Sequence, residues 1–141
     1  MATISASKIT DLGLSSSMTT CNTGGDNFVN TGIEFIRIQN AHASQDYTVK
    51  VTVQSQSYKH PIYGNLTKNH VYKSIASVTS GLGSNSVIIG PFKQKAFNTS
   101  SNLVEVSYKQ GSHTTDAAFN SATAIGSGAH LLKIEVLYLE N

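Results

Sequence analysis

Apolar side chains recur at every second position in three segments of this chain. In residues 47–54 the alternating apolar members are one tyrosine and three valines, namely Tyr47, Val49, Val51 and Val53. Residues 103–108 and 131–139 alternate in the same way. A period of two is that of a β-strand with one buried face, so these segments predict a sheet that covers a core.

The composition between these segments also favours β-structure. Charged residues make up only 13% of the chain, and serine, threonine and asparagine take their place; strand faces and turns accept these residues more readily than helix interiors do. Strands separated by turn residues, without helical periodicity, predict an all-β antiparallel sandwich or jelly roll. The 141 residues fit a single domain spanning 1–141.

Three segments depart from the strand pattern. Residues 1–26 are expected to form an extended N-terminal arm, because their apolar residues are too sparse for a helix stripe. Residues 55–86 and 110–130 are expected to be long loop excursions, the first with a strand or short hairpin and the second with a short helical turn near Asp116. The arm is a candidate contact with a neighbouring subunit through its apolar residues Ile4, Ile9, Leu12 and Leu14.

A Gly-Pro-Phe corner interrupts the sheet after residue 89. Gly90 and Pro91 end the strand, since proline cannot donate a hydrogen bond to a ladder. Phe92 is expected to enter the core, whereas Lys93 and Lys95 lie on an exposed corner and are candidate protein contacts.

Three tyrosines fall close together in the first excursion: Tyr58, Tyr63 and Tyr72. Tyrosine beside asparagine and serine is typical of sugar-binding and protein-binding surfaces, so all three are candidate contacts. The alternative is that they pack the excursion onto the sheet.

The sequence carries no pattern of catalytic or metal-binding residues. The five histidines have no metal-ligand spacing, no serine stands in a nucleophile elbow, and the glycine-rich stretches lack the lysine of a phosphate loop. Cys21 is the sole cysteine and has no partner. We therefore expect a protein that is not an enzyme and has no metal, cofactor or small-molecule substrate.

Charge and hydropathy bear on the partners. The formal net charge is +2 and the lysines are scattered, which argues against nucleic-acid binding. No stretch approaches the length of an apolar membrane span, and the N-terminus lacks the apolar region of a secretory signal, so we expect synthesis in the cytoplasm without membrane association.

The order of motifs resembles that of small structural proteins from tailed bacteriophage virions. Residues 24–40, GGDNFVNTGIEFIRIQN, are similar to the opening of these proteins, where an Asn-x-Gly turn leads into a strand that ends in asparagine. Then follow a TVTV-like strand, an Ile-Gly-Pro-Phe turn, a Phe-Asn step, a V-x-V-x-Y strand and an apolar last strand, at residues 47–53, 89–92, 97–98, 104–108 and 134–139. The succession spans about three-quarters of the chain, and this chain departs from shorter members by its two excursions.

The resemblance implies a virion protein that coats or cements a capsid. Its expected partner is the major capsid protein, its expected location is the outer capsid surface, and its expected assembly is a homo-oligomer, with a trimer favoured. The alternatives are a neck or tail component and a head-fibre module that binds host surfaces or glycans through the tyrosines and the loop around His113.

Overall fold

Two five-stranded sheets pack face to face in the computed structural model of the chain. The structure describes residues 1–10, 13–14, 16–55, 57–62, 64–79, 84–126 and 131–139, with the backbone alone at 58–60 and 64–67. Its strands are β1 (Ala2–Thr3), β2 (Ala6–Ile9), β3 (Thr19–Thr20), β4 (Asp26–Val29), β5 (Phe35–Asn40), β6 (Tyr47–Val51), β7 (Ser57–His60), β8 (Gly64–Thr67), β9 (Val71–Ile75), β10 (Ser86–Ile89), β11 (Leu103–Gln110) and β12 (Leu132–Leu139). The short helices are α1 (Gln94–Phe97) and α2 (Asp116–Ser121).

The first sheet has the order β1-β4-β11-β6-β9, and the second has β10-β5-β12-β2 with β3 also paired to β12. The sheets stay open as a sandwich, which confirms the predicted fold class. They are mixed, because β1 runs parallel to β4 and β2 runs parallel to β12. The expectation of a purely antiparallel sandwich is corrected at these two N-terminal strands.

The core lies between the sheets and follows the alternation in the sequence. Strands β6, β11 and β12 turn their alternate residues inward, with the fully buried examples Val49, Val51, Val104, Val106, Leu132 and Ile134. Strand β5 contributes Ile36 and Ile38 to the same cluster. Strand β5 begins only at Phe35, because the Glu34 carboxylate accepts hydrogen bonds from the backbone of Thr31 and Gly32 and holds a turn there.

The Gly90-Pro91 corner sets one end of the sandwich. Gly90 has a φ of +127° and a side chain there would come 2.8 Å from the Cβ of Phe35, so only glycine fits. The next residue but one, Phe92, is 1% exposed and packs against Phe28 and Phe97 at ring distances of 5.7 and 5.3 Å. Its predicted place in the core is confirmed. Of the two lysines expected on the exposed corner, Lys93 directly precedes helix α1 and Lys95 lies within it.

Candidate functional surfaces

Part of the outer face of the second sheet is covered by the chain's own N-terminal segment. Strands β2 and β3 pair with the same edge of β12, and Ser16 and Ser17 lie over the face beside it. Glu135, on this outer face, is 5% exposed and receives hydrogen bonds from the Ser16 hydroxyl and the Ser17 backbone N–H, both at 3.3 Å. Arg37 on β5 lies directly opposite and donates to Ser16 at 2.6 Å. The N-terminal segment is thereby fastened to this sheet.

In its described part, the segment predicted as an extended N-terminal arm contributes edge strands to the chain's own sheets, and its contact with a neighbouring subunit stays a prediction. Strand β1 extends the first sheet and strand β2 the second, so the segment joins the two sheets along one side. Ile4 packs partly buried against the core and Ile9 is half-buried, because strand pairing draws both toward the sheets. Leu14 is exposed. Leu12 lies outside the described residues.

The outer face of the first sheet is covered by the second excursion. The Thr48 hydroxyl on β6 donates to the Gly111 carbonyl at 2.7 Å and accepts from the His113 backbone N–H at 2.9 Å. Phe119 on α2 is 3% exposed and packs on the Tyr72 ring at 5.8 Å. The segment predicted as an exposed loop is thus seated on the sheet through a buried aromatic side chain.

A polar cluster lies where the second excursion meets β6 and β9. One oxygen of the Asp116 carboxylate, Oδ1, accepts from Lys50 Nζ at 2.6 Å and from the Tyr72 hydroxyl at 2.5 Å. The second oxygen, Oδ2, lies 3.7 Å from His70 Nε2. His70 Nδ1 accepts from the Val53 backbone N–H at 2.9 Å, so the neutral ring carries its proton on Nε2. Three side chains, Lys50, Tyr72 and His70, therefore surround one carboxylate.

The electrostatics of this cluster favour an ionised aspartate beside a neutral histidine. Hydrogen bonds from Lys50 and Tyr72 lower the pKa of Asp116. Burial, followed by the nearby Lys50 charge, lowers the pKa of His70. Burial and the hydrogen bond to Asp116 raise the pKa of Tyr72, so its phenol remains a hydrogen-bond donor at neutral pH.

An open cleft adjoins the cluster. It has a volume of about 460 Å³ and is lined by Asn69, His70, Tyr72, Thr114, Thr115 and Asp116. Of the three tyrosines singled out in the sequence, Tyr72 is therefore at a cleft and half-buried, which combines packing on Phe119 with access to solvent. Tyr63 lies outside the described residues, and at Tyr58 only the backbone is described.

Strands β7 and β8 form a hairpin that pairs with neither sheet in the described part of the chain. Ile62, in the turn that joins them, has 80% of its side chain exposed. The predicted hairpin in the first excursion is confirmed, and β9 supplies the strand that the sequence also predicted there.

The loops around helix α1 form a second candidate contact surface, which we call the α1 end. Its exposed members are two apolar and two basic side chains: Val29, Ile33, Lys93 and Lys95. Gln94 joins the two stretches, because its side-chain amide donates to the Asn30 carbonyl at 3.3 Å. Lys68 adds a further ammonium group 4.9 Å above the Phe97 ring. The predicted exposure of Lys93 and Lys95 is confirmed.

The remaining reactive group is enclosed. Cys21 is buried beside Tyr108, whose hydroxyl donates to Asp26 at 2.8 Å. Burial, with the Asp26 charge as a smaller contribution, raises the pKa of the Cys21 thiol to about 12 despite a lowering hydrogen bond with Tyr108. The thiol is therefore protonated at neutral pH and a poor nucleophile.

Across the described residues, histidine, cysteine, aspartate and glutamate do not gather in groups of three that would hold a metal ion. Neither helix in that part of the chain has the length and apolar character of a membrane span. No family model, curated protein or solved structure matches the chain.

Of the residues that build the polar cluster, sequence reasoning singled out Tyr72 and missed Lys50, His70 and Asp116. Lys50 stood out only as a polar position on an alternating strand, and Asp116 only as a place for a helical turn. The available signal was Phe119, a lone aromatic residue in a polar segment, because such a residue needs a buried contact and carries its neighbours to the same place.

Proposed function

We propose that this chain is a non-enzymatic structural protein of a bacteriophage virion that binds the outer surface of the capsid and stabilises the shell. The α1 end is the proposed contact with the major capsid protein. Its combination of exposed apolar side chains and lysines on a fixed end of the sandwich is the observation that carries this proposal, together with the order of motifs in the sequence.

Hydrogen bonds join the loops of the α1 end to one another, which favours it as a contact. The Asn30 side chain is buried and donates to the Phe92 carbonyl at 3.0 Å and to the Asn98 side chain at 2.6 Å, and Asn98 returns a hydrogen bond to the Asn30 carbonyl. Loops held in this way lose little conformational entropy when a partner binds. The surface is therefore organised before assembly.

The charge of the α1 end indicates the chemistry of its partner. Residues 90–102 contain two lysines and no carboxylate. Glu34, beside Ile33, is buried and its carboxylate is occupied by the Thr31 hydroxyl and backbone. An acidic surface with an apolar recess complements this arrangement.

Part of each outer face of the sandwich is covered by the chain itself, the second sheet by the N-terminal segment and the first by residues 111–126. The α1 end is among the surfaces left exposed. Binding that prefers the assembled lattice to free subunits shifts the equilibrium toward the intact shell, which is how such a protein acts as cement. A homotrimer would present three α1 ends to neighbouring capsid subunits.

Co-sedimentation with capsids that lack this protein tests the proposal. A double variant, Lys93→Glu with Lys95→Glu, is expected to lower the affinity at least roughly tenfold, because it places like charges against the acidic partner. The matched control is Lys73→Glu with Lys133→Glu, which makes the same charge change on exposed positions of β9 and β12. Equal occupancy of both double variants would remove the α1 end from the interface.

The number of copies in each particle separates cement from the neck or tail alternative. A copy number comparable with that of the major capsid protein supports the shell, and a few copies in each particle support a neck or tail position. Light scattering of the purified chain measures whether the assembly is the proposed trimer.

A further inference from the structure

We propose that the cleft beside Asp116 is a binding site for a neutral carbohydrate. It is lined by an amide, two threonine hydroxyls, a neutral imidazole, a phenol and one carboxylate, and its volume is about 460 Å³. This volume lies within the range of roughly 300–1,000 Å³ that small-ligand sites occupy. The side chains that line the cleft differ from those that make up the α1 end, so the site adds a function to capsid binding.

The ion pair between Lys50 and Asp116 restricts the charge of the ligand. Lys50 Nζ and Asp116 Oδ1 lie 2.6 Å apart, with the lysine side chain 13% exposed and the aspartate side chain 50% exposed. An anionic ligand would meet the exposed carboxylate first, and a cationic ligand would compete with the ammonium group that already pairs with it. A neutral ligand avoids both costs.

The polar side chains that line the cleft restrict the polarity of the ligand. An apolar ligand would remove water from the carboxylate and from the side chains of Asn69 and Thr114 without replacing their hydrogen bonds. Hydroxyl groups both donate and accept, and so satisfy a carboxylate, an amide and a threonine together. A polyhydroxylated neutral compound is the class of ligand that fits all of these groups.

Hydrogen bonds hold the Asp116 carboxylate in one orientation. Lys50 and Tyr72 both donate to Oδ1, which fixes the plane of the Asp116 side chain. Oδ2 accepts no hydrogen bond from the described residues and lies 3.7 Å from His70 Nε2. This oxygen is therefore available to accept from a sugar hydroxyl. Phe119 beneath the Tyr72 ring keeps the whole arrangement in place.

Two-dimensional amide NMR of the whole chain, titrated separately with methyl glucoside, methyl galactoside and N-acetylglucosamine, tests the proposal. At least one of these sugars should shift the amide signals of residues 69–72 and 112–116 at millimolar concentration. Sialic acid serves as the anionic comparison and should bind more weakly. The absence of localised shifts with all three neutral sugars, or stronger binding of sialic acid, would overturn the proposal.

Two mild variants locate the site without disturbing the fold. Asn69 and Thr114 are exposed, and Thr114→Val preserves shape while it removes the hydroxyl. Each of Asn69→Ala and Thr114→Val should weaken sugar binding roughly threefold to tenfold, in line with one lost hydrogen bond. Thr123→Val, an exposed position in the same excursion but outside the cleft lining, is the matched control. Equal sugar affinity in all three variants contradicts the site.

Capsid co-sedimentation of the same variants keeps the two proposals distinct. Asn69→Ala and Thr114→Val should bind capsids as the unmodified chain does, whereas the charge reversals at Lys93 and Lys95 should leave the sugar-induced NMR shifts unchanged. Loss of sugar binding in the Lys93 and Lys95 double variant would contradict a separate site.

Discussion

Arg37 and Glu135 face each other on neighbouring strands of the second sheet, with Nε and Oε1 2.6 Å apart, and the N-terminal segment lies over this ion pair. The Nε–H is buried and is not aligned for a hydrogen bond, so the contact acts through charge. Glu135 also accepts from Ser16 and Ser17. One carboxylate therefore joins the sheet to the segment that covers it.

Replacing Glu135 by alanine should lower the free energy of unfolding by about 1–3 kcal/mol, because it leaves the Arg37 charge without its partner and removes the anchor of the N-terminal segment. Urea unfolding measures the loss. Trypsin should also cleave after Lys8 sooner, since β2 must leave the sheet before the protease reaches it.

Lys133→Ala is the control, because Lys133 is an exposed neighbour on the same strand and should change stability by no more than about 0.5 kcal/mol. If Glu135→Ala and Lys133→Ala gave the same cleavage rate after Lys8, the carboxylate would not be what holds the segment.

Phe92→Ala should destabilise the chain by about 3–5 kcal/mol, as expected for a fully buried aromatic ring that leaves a cavity. The ring contacts both Phe28 and Phe97, so repacking cannot fill the space without moving helix α1. Denaturant unfolding measures the effect, and Phe92→Leu, which retains most of the volume, should cost less. A loss below about 1 kcal/mol would contradict the packing at this corner.

The parts of the fold that the sequence predicted well are the strands whose inward residues alternate. In β6 and β11 every second residue is buried, so the period of two gives both the strand and its inward face. The sequence also placed Phe92 inside, at the glycine-proline corner that ends the preceding strand.

The parts that the sequence did not predict depend on pairing between distant residues. Strands β1 and β2 are rich in serine, threonine and alanine, and they form strands because open edges of β4 and β12 accept their backbone hydrogen bonds. The burial of Glu135 likewise results from Ser16, which lies 119 residues earlier in the chain. The pattern of neighbouring residues in the sequence does not indicate such contacts. The covered parts of the sheet faces and the Asp116 cleft are therefore seen only in the structure.

Cys21 should not react with a thiol reagent such as dithionitrobenzoate in the native protein at pH 8. Burial denies the reagent access and raises the pKa of the thiol to about 12, so very little thiolate is present. One equivalent should react in guanidinium chloride. Under native conditions the labelling rate should follow unfolding, and rapid labelling without denaturant would show that the segment around Cys21 opens locally.

The free energy of unfolding should depend on pH through the titration of His70 and Asp116. The ionisable groups beside them are those of Lys50 and Tyr72. The pKa of His70 is lower in the folded than in the unfolded chain, so the unfolded chain binds the proton first and stability falls as the pH drops below about 6.5. The pKa of Asp116 is also lowered, so its contribution is present above the unfolded value of about 3.9 and is lost as the pH falls through the folded value.

Urea unfolding from pH 7.5 to 3 separates the two groups. His70→Asn keeps an acceptor for the Val53 backbone N–H and should flatten the profile between about pH 7 and 5. In Asp116→Asn, stability should still fall between about pH 7 and 5, but it should change less with pH near the titration of an aspartate, at about pH 4 and below. Because the Asp116 side chain is half-exposed, salt should weaken its effect more than that of the less exposed His70. If His70→Asn leaves the slope between pH 7 and 5 unchanged, the histidine is not held neutral by its burial and by Lys50.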